Sequence, residues 1–440
     1  MSALKHDYKK SLLDKIEKRG CVIGVIGMGY VGLPLAVAFA QEGFDVIGID
    51  IHDTKVKALN DGKSYVEDIA DATLKPLVES GKLVASTDYQ TLANVDAISI
   101  CVPTPLGKTK DPDVSFIIDA ADRIGDMGGS GKLIVLESTT YPGTTEEIIL
   151  PRLQSRGDEV GRDFFLAFSP ERIDPGRTDH TISDTPKVIG GSTPDCLEVA
   201  LALYGTIIEE PVPVSSTAAA EMVKLLENTF RAVNIGLVNE IALICDKLNL
   251  DVWEIVEAAA TKPYGFMPFY PGPGLGGHCI PVDPHYLSWK LRTVNYKARF
   301  IELASDINGF MPEYVVSKVA DGLNAQHKSL NGSAVLILGV AYKANIGDVR
   351  ESPAFDIIDL LQEKGAHVCF HDPYVQKLDL GERIVERKEL SADTVRLADC
   401  VVIVADHDAY DWSFILEHAG LIVDSRNAIK EHGNTRVVPL

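Results

Sequence analysis

No two cysteines in this 440-residue chain have C-x-x-C spacing, although seven are present, at 21, 101, 196, 245, 279, 369 and 400. An odd, scattered set excludes a disulfide framework and points to thiols in a reducing, cytoplasmic compartment. Basic residues are short: 42 Lys+Arg stand against 63 Asp+Glu, a net charge of −21. Such a field repels phosphate backbones and anionic lipid, so neither nucleic acid nor a membrane surface is expected as a partner. A nucleotide-sized anion needs only a helix N-terminus and a few placed cations. Long hydrophobic runs are missing but for one. Residues 21–41 carry no charge and reach membrane-span length, yet Gly24, Gly27, Gly29, Gly32 and Pro34 favour turn chemistry there. The preceding Lys5, His6, Asp7, Lys9 and Lys10 are too polar for a signal peptide. No metal is expected either, because His278, Cys279 and His285 match no zinc-ligand spacing.

What is present is regular. Residues 1–20 read as an amphipathic helical extension, with Leu4, Leu12, Leu13 and Ile16 among lysines. Apolar strands at 21–26, 44–50, 95–102, 132–137 and 164–168 are separated by helical stretches at 33–42, 55–59 and 116–127. That alternation predicts a parallel sheet in an α/β lobe over 21–210. The pattern then changes. From 215 to 248 apolar residues recur every three or four positions with Gly236 the one interruption, which predicts a long helix. A second helical stretch, 286–323, follows a Pro/Gly-rich loop and completes a helical middle domain, 211–325. Strands at 334–339, 367–371, 400–405 and 421–424, with a helix at 354–364, make 326–440 a second α/β lobe.

Gly27-Met28-Gly29-Tyr30-Val31-Gly32 follows an apolar strand and opens a helix, and Asp50 ends the next strand about 20 residues on. This is the full context of a dinucleotide fingerprint. The glycines permit the tight turn, and the helix N-terminus, at Tyr30 and Val31, offers amides to a pyrophosphate. Asp50 would accept from the ribose hydroxyls and repel a 2′-phosphate, which favours NAD over NADP. Lys55 either flanks the same ribose or points to solvent. The chain thus reads as two Rossmann-like, doubly wound lobes joined by a long central helix and a helical middle domain.

Six Gly and Pro residues precede His278-Cys279 in PGPGLGGHC, so Cys279 is the one thiol on a constrained loop; the other six lie in or beside apolar elements. Lys224 and Asn228 share a helix face at i and i+4, where an ammonium and an amide can hold an oxyanion. Asp283 follows Cys279 by four residues. Three strand ends, at Pro103-Thr104, Ser138-Thr139 and Ser169-Pro170-Glu171, belong to the sheet edge where open α/β folds bind ligands.

Together these segments resemble the UDP-glucose/GDP-mannose dehydrogenase family over about residues 20–430, through GMGYVGLP (27–34), CVPTP (101–105), ESTTYPGTT (137–145), FSPERIDPG (168–176), EMVKLLENTF (221–230), PGPGLGGHCIPVDP (271–284), AYKANIGDVRESPA (341–354) and DSRN (424–427). The resemblance implies an enzyme that oxidises the C6 alcohol of a UDP-sugar to the uronate with two NAD⁺, for polysaccharide precursors. Cys279 would carry a thiohemiacetal and then a thioester. Lys224 and Asn228 would stabilise oxyanions, Asp283 orient lysine and water, Glu171 assist hydrolysis and Thr139 hold the water. Arg172, Phe269, Tyr270, Gly272, Gly274, Gly276, Lys343 and Arg426 would meet the substrate, and Arg350 the cofactor phosphates. It further implies a homodimer or larger assembly. Pro175 and Val282 depart from the glucose-type pattern, and the loop wording is closer to the UDP-N-acetylhexosamine branch. UDP-N-acetylglucosamine is the first choice, then UDP-N-acetylgalactosamine and UDP-N-acetylmannosamine, then UDP-glucose. A simple two-electron dehydrogenase would need neither the loop cysteine nor a second α/β lobe, and a non-catalytic sensor would not need both Cys279 and Lys224.

Overall fold

The computed structural model describes residues 7–66, 68–107, 111–154, 157–172, 181–381, 383–431 and 433–440. Leu4 and Pro175 therefore lie outside the described residues. The chain forms two compact units, Met1–Glu227 with His285–Asn295, and Asn228–Pro284 with Tyr296–Leu440.

In the first unit, β1 (Val22–Ile26), β2 (Asp45–Ile49), β3 (Leu83–Ser86), β4 (Ala97–Ile100), β5 (Leu133–Leu136), β6 (Phe165–Phe168), β7 (Lys187–Gly191) and β8 (Pro211–Val214) make one sheet. Their order is β3-β2-β1-β4-β5-β6-β7-β8. The β6–β7 pair is antiparallel and the other neighbours are parallel. Both faces of the inner strands β1, β4, β5, β6 and β7 are covered, which is why they are continuous apolar runs instead of alternating ones. In β5, Leu133 and Val135 pack in one core with Phe39 and Phe165, while Ile134 and Leu136 pack in another with Ile117 and Phe168. The charge-free stretch at 21–41 is resolved into strand, turn and helix Gly32–Gln41. Among the described residues no helix is long and apolar enough to cross a membrane.

The second unit repeats the plan on a smaller scale. Its strands are β9 (Ala334–Leu338), β10 (His367–His371), a hairpin of β11 (Lys377–Asp379) and β12 (Ile384–Glu386), then β13 (Cys400–Ile403), β14 (Ile422–Asp424) and β15 (Val437–Pro439). The sheet order is β10-β9-β13-β14-β15, all parallel. Val335 and Ile337 face one core, Leu336 and Leu338 the other. The turn after β9 copies the turn after β1. Gly27 (φ +92) donates to Ile49 O at 2.7 Å, and Gly339 (φ +78) donates to His371 O at 2.9 Å. A Cβ at Gly27 would lie 2.5 Å from Cys101 O, and one at Gly339 2.5 Å from Ala405 O. Asp50 follows β2 as Asp372 follows β10.

The long helix is Thr217–Leu248, 32 residues. Ala220, Leu225, Ala232, Val238, Ala242 and Cys245 are buried along it, whereas Met222, Leu226, Phe230, Leu237, Ile244 and Leu248 are exposed. At 3.6 residues per turn these six positions fall on one stripe. The helical stretch expected at 286–323 is two helices, Asp283–Arg292 and Arg299–Ala325. The break falls where Asn295 takes φ +56, a conformation that ends a helix.

Candidate active site

Each glycine of the fingerprint answers a different demand. A Cβ on Gly32 would lie 1.9 Å from Gly27 O, so the chain itself requires that glycine. A Cβ on Gly29 would meet nothing within 4 Å, so its bareness serves close approach from outside the chain. Helix Gly32–Gln41 follows with no side-chain cap at Val31 and no acidic residue in its first turn. Tyr30 beside it is exposed. Its N-terminal dipole is thus left for an anion. Asp50 is buried, and its carboxylate accepts from Met28 N at 3.1 Å, His52 N at 3.0 Å and Lys55 Nζ at 3.4 Å. A carboxylate offers about four acceptor positions, which leaves capacity for a ribose hydroxyl. Lys55 turns to Asp50 and lies 5.6 Å over the Tyr65 ring. These residues fit a dinucleotide.

At the ends of β4, β5 and β6 the expected polar residues are present. Thr104 O accepts from Tyr286 Oη, and Pro103 beside it is exposed. Thr139 is half-buried next to Ser138, whose hydroxyl donates to Val102 O at 2.8 Å. Lys224 Nζ donates to Glu171 O at 2.6 Å. Arg172 N donates to Glu171 Oε1 at 2.9 Å, and Arg172 Nη2 pairs with Glu227 Oε1 at 2.5 Å.

Two buried charges behind this edge had not been anticipated. Lys187 Nζ contacts Glu137 Oε2 at 2.9 Å, Pro170 O at 3.3 Å and Glu171 Oε2 at 3.4 Å. Tyr204 Oη donates to the other Glu137 oxygen and is 3.1 Å from Ser99 Oγ. Burial pushes the Glu137 carboxyl up while the Lys187 ammonium opposes it. Burial works against the charge on Lys187, yet Glu137 and Glu171 hold its pKa above the ordinary lysine range. The one available signal was a lysine opening the apolar strand KVIGG. Glu221, on the long helix, accepts from Gly143 N at 2.5 Å, Thr145 N at 2.9 Å and Thr145 Oγ1 at 2.7 Å, and so fixes the loop after β5. Burial raises its carboxyl to about 7 against those donors.

In the second unit, Cys279 is half-buried on a turn closed by Val282 N and Asp283 N, which donate to Cys279 O at 3.1 and 2.8 Å. Helix Asp283–Arg292 starts there, so the thiol precedes a helix N-terminus, where negative charge is favoured. The Asp283 carboxylate is buried and accepts from Asn228 Nδ2. Val282 is half-buried in the turn.

The glycine loop is tightly packed. A Cβ on Gly276 would lie 2.5 Å from the Tyr342 side chain, one on Gly274 3.1 Å from Pro353, and one on Gly272 2.7 Å from Arg426 Nη1. Gly272 N also donates to Asn239 Oδ1 at 3.0 Å. Arg426 Nε donates to Val404 O at 2.8 Å. Phe269 meets Phe230 edge-on at 5.8 Å, and exposed Tyr270 stacks on Trp253 at 5.9 Å. Lys343 lies in a loop that Asn345 clamps, through Asn345 N to His407 Nδ1 at 2.9 Å and Asn345 Nδ2 to Asp408 Oδ2 at 2.9 Å. Arg350 bonds Asp348 at 2.6 Å, and its carbonyl accepts from Gly277 N at 3.0 Å. Among the described residues no three His, Cys, Asp or Glu side chains gather as a metal site would require.

Residues 21–208 match the NAD binding domain of the UDP-glucose/GDP-mannose dehydrogenase family, 218–309 its central domain and 336–431 its UDP binding domain. The chain is 35% identical over 417 residues, 93% of its length and 96% of the relative's, to UDP-N-acetyl-D-mannosamine dehydrogenase of Pyrococcus horikoshii. It is 37% identical over 359 residues, 81% of its length and 84% of the relative's, to UDP-N-acetyl-D-glucosamine 6-dehydrogenase of Pseudomonas aeruginosa. A solved structure of a UDP-D-ManNAc dehydrogenase from Pyrococcus horikoshii matches with a TM-score of 0.87 and 33% identity, covering 95% of this chain and 98% of that one.

Proposed function

We propose that this chain, which belongs to the UDP-glucose/GDP-mannose dehydrogenase family and is an NAD-dependent UDP-sugar dehydrogenase, oxidises the C6 alcohol of a UDP-N-acetylhexosamine to the uronate. The observation that carries the reading is Cys279, a half-buried loop thiol at a helix N-terminus, four residues before the buried Asn228–Asp283 pair. NAD⁺ bound at the fingerprint would accept a hydride in each of two oxidations. The Cys279 thiolate attacks the C6 aldehyde to give a thiohemiacetal, and after the second oxidation holds the sugar as a thioester. Covalent capture retains the aldehyde while cofactor exchanges. Lys224 and Asn228 stabilise the oxyanions. Asp283 orients the attacking water, Thr139 holds it, and Glu171 takes its proton. Arg172, Lys343 and Arg426 bind the substrate beside loop 269–276, and Arg350 meets the cofactor phosphates. The product feeds polysaccharide synthesis in the cytoplasm.

Asp50→Ala should weaken NAD⁺ binding and narrow the preference over NADP⁺, because the variant no longer repels a 2′-phosphate. Titration of both cofactors checks this; an unchanged ratio removes Asp50 from the ribose site.

UDP-N-acetylglucosamine is the substrate first proposed. UDP-N-acetylmannosamine is the second reading, favoured by the fuller coverage of the relative named for it. A pocket shaped for an acetamido group leaves a buried polar group unpaired when a hydroxyl replaces it, at about 1–3 kcal/mol. UDP-glucose should therefore be about ten- to a hundredfold poorer in kcat/KM than the best UDP-N-acetylhexosamine. A panel including the galacto epimer decides, and a UDP-glucose value equal to or above all three rejects the branch.

The exposed stripe Met222, Leu226, Phe230, Leu237, Ile244 and Leu248 supports pairing with a second copy of the chain. Sedimentation at micromolar concentration should give a dimer or larger; a monomer there refutes it.

A further inference from the structure

Among the contacts that hold Glu171, one has no role in the chemistry set out above. Arg172 N fixes Oε1, Lys224 fixes the backbone carbonyl, and Lys187 reaches Oε2 from beneath the sheet edge. Lys187 and Glu137 are buried, and Glu137's second oxygen is taken by Tyr204, which Ser99 meets in turn. Every member of this group has a partner, so its geometry is fixed by hydrogen bonds and by packing together. A buried ion pair is weak evidence for stability, since well-packed apolar residues often serve as well. Its placement suggests a different use. Lys187 also contacts Pro170 O, so one ammonium spans the strand end and the side chain of the next residue.

We propose that Lys187, anchored by Glu137, is a positioning residue that aims the Glu171 carboxylate for hydrolysis of the Cys279 thioester. The proposal rests on the reading of Glu171 as the base in that step. Water adds to the acyl carbon while Glu171 takes one of its protons; the C–S bond then breaks, leaving the Cys279 thiolate and a carboxylic acid, which gives its remaining proton to solvent to become the uronate. No oxidant is involved, so neither hydride transfer depends on Lys187. Loss of the Lys187–Glu137 pair should slow deacylation and leave the two preceding oxidations at their normal rate.

The test uses Lys187→Met/Glu137→Gln, which removes both buried charges so that neither is stranded. Single-turnover reactions with NAD⁺ and UDP-N-acetylglucosamine, or the best UDP-sugar of the panel, follow NADH formation by absorbance. Intact-mass measurement of quenched samples follows the acyl adduct on Cys279. The expected result is two NADH per chain at the wild-type burst rate, then deacylation slowed about ten- to a hundredfold with adduct accumulating, a part of the roughly 10²–10⁴-fold that a general base contributes. If the double variant does not fold, Lys187→Arg is read by the same ratio of deacylation to burst. It keeps the charge but cannot reproduce both carboxylate contacts, and should slow deacylation several-fold.

A ratio unchanged from wild type in the variant that folds overturns the proposal, whether both rates fall together or neither falls. Glu171→Gln separates the two readings. If it accumulates adduct and the Lys187 variants do not, Lys187 is merely structural. If it accumulates none while wild type makes uronate, the hydrolytic role of Glu171 is what fails.

Discussion

Cys279→Ser should lower uronate formation on the order of 10³-fold or more, the scale on which loss of a covalent nucleophile acts, and leave NAD⁺ affinity unchanged. The fingerprint and Asp50 directly follow β1 and β2 in the first unit, whereas Cys279 lies on the glycine loop of the second. Serine keeps the size and polarity of the side chain, so the turn closed by Val282 and Asp283 survives. What it removes is the thiolate, the form that attacks an aldehyde and later leaves from an acyl group. NADH and uronate are measured together, with cofactor binding measured separately. Uronate formed at near the wild-type rate would show that no sulfur adduct is needed.

Lys224→Met should lower kcat on the order of 10²–10³-fold, about 3 kcal/mol, with KM changed only a few-fold. The ammonium is assigned to charge that develops in the transition state, and such an interaction appears in kcat more than in ground-state binding. Methionine suits the interior of the long helix, so the backbone there should hold. The bond from Lys224 to Glu171 O is lost as well, which adds to the effect on deacylation. Arginine should not restore the rate, because its planar fork cannot replace a compact ammonium. Steady-state kinetics decide: a rise in KM with kcat intact would make Lys224 a substrate-binding residue only.

The dinucleotide turn was legible because its demands are local. Glycine at 27 and 32, a strand before and a helix after, and an acid at the next strand end all lie within one stretch of chain. Strands β1, β2, β4, β5, β6, β9, β10, β13 and β14 were legible as apolar runs, whereas β3, β7 and β15 were not read from the sequence. Nor was β8, because Pro211 and Pro213 argue against pairing; among the described residues it lies at the sheet edge beside β7, where proline is tolerated. Helix Asp71–Glu79 was hidden by Pro76 within it. The Glu137–Lys187 contact spans 50 residues, and no periodicity links two side chains so far apart. Lys224, Asn228 and Asp283 were singled out by spacing, but their partners emerge only from the fold. Glu171 O and the Asn228 amide cannot be read from i and i+4.

The twin turns after β1 and β9 differ in one respect that bears on what each lobe can recognise. Asp372 is fully buried and accepts from Val340 N, Ala341 N, Tyr374 N, Val375 N and His407 Nε2. Its counterpart Asp50 has three donors and room for more. Asn345 N–H donates to His407 Nδ1, which fixes the imidazole as the tautomer protonated on Nε2. The acid that in one lobe keeps acceptor capacity has in the other become mortar for the fold. The second lobe keeps the architecture of a dinucleotide binder while lacking its defining handshake, so its nucleotide must be recognised by other side chains. With the backbone turn shared, the saturation of a single carboxylate is what sets the two lobes apart.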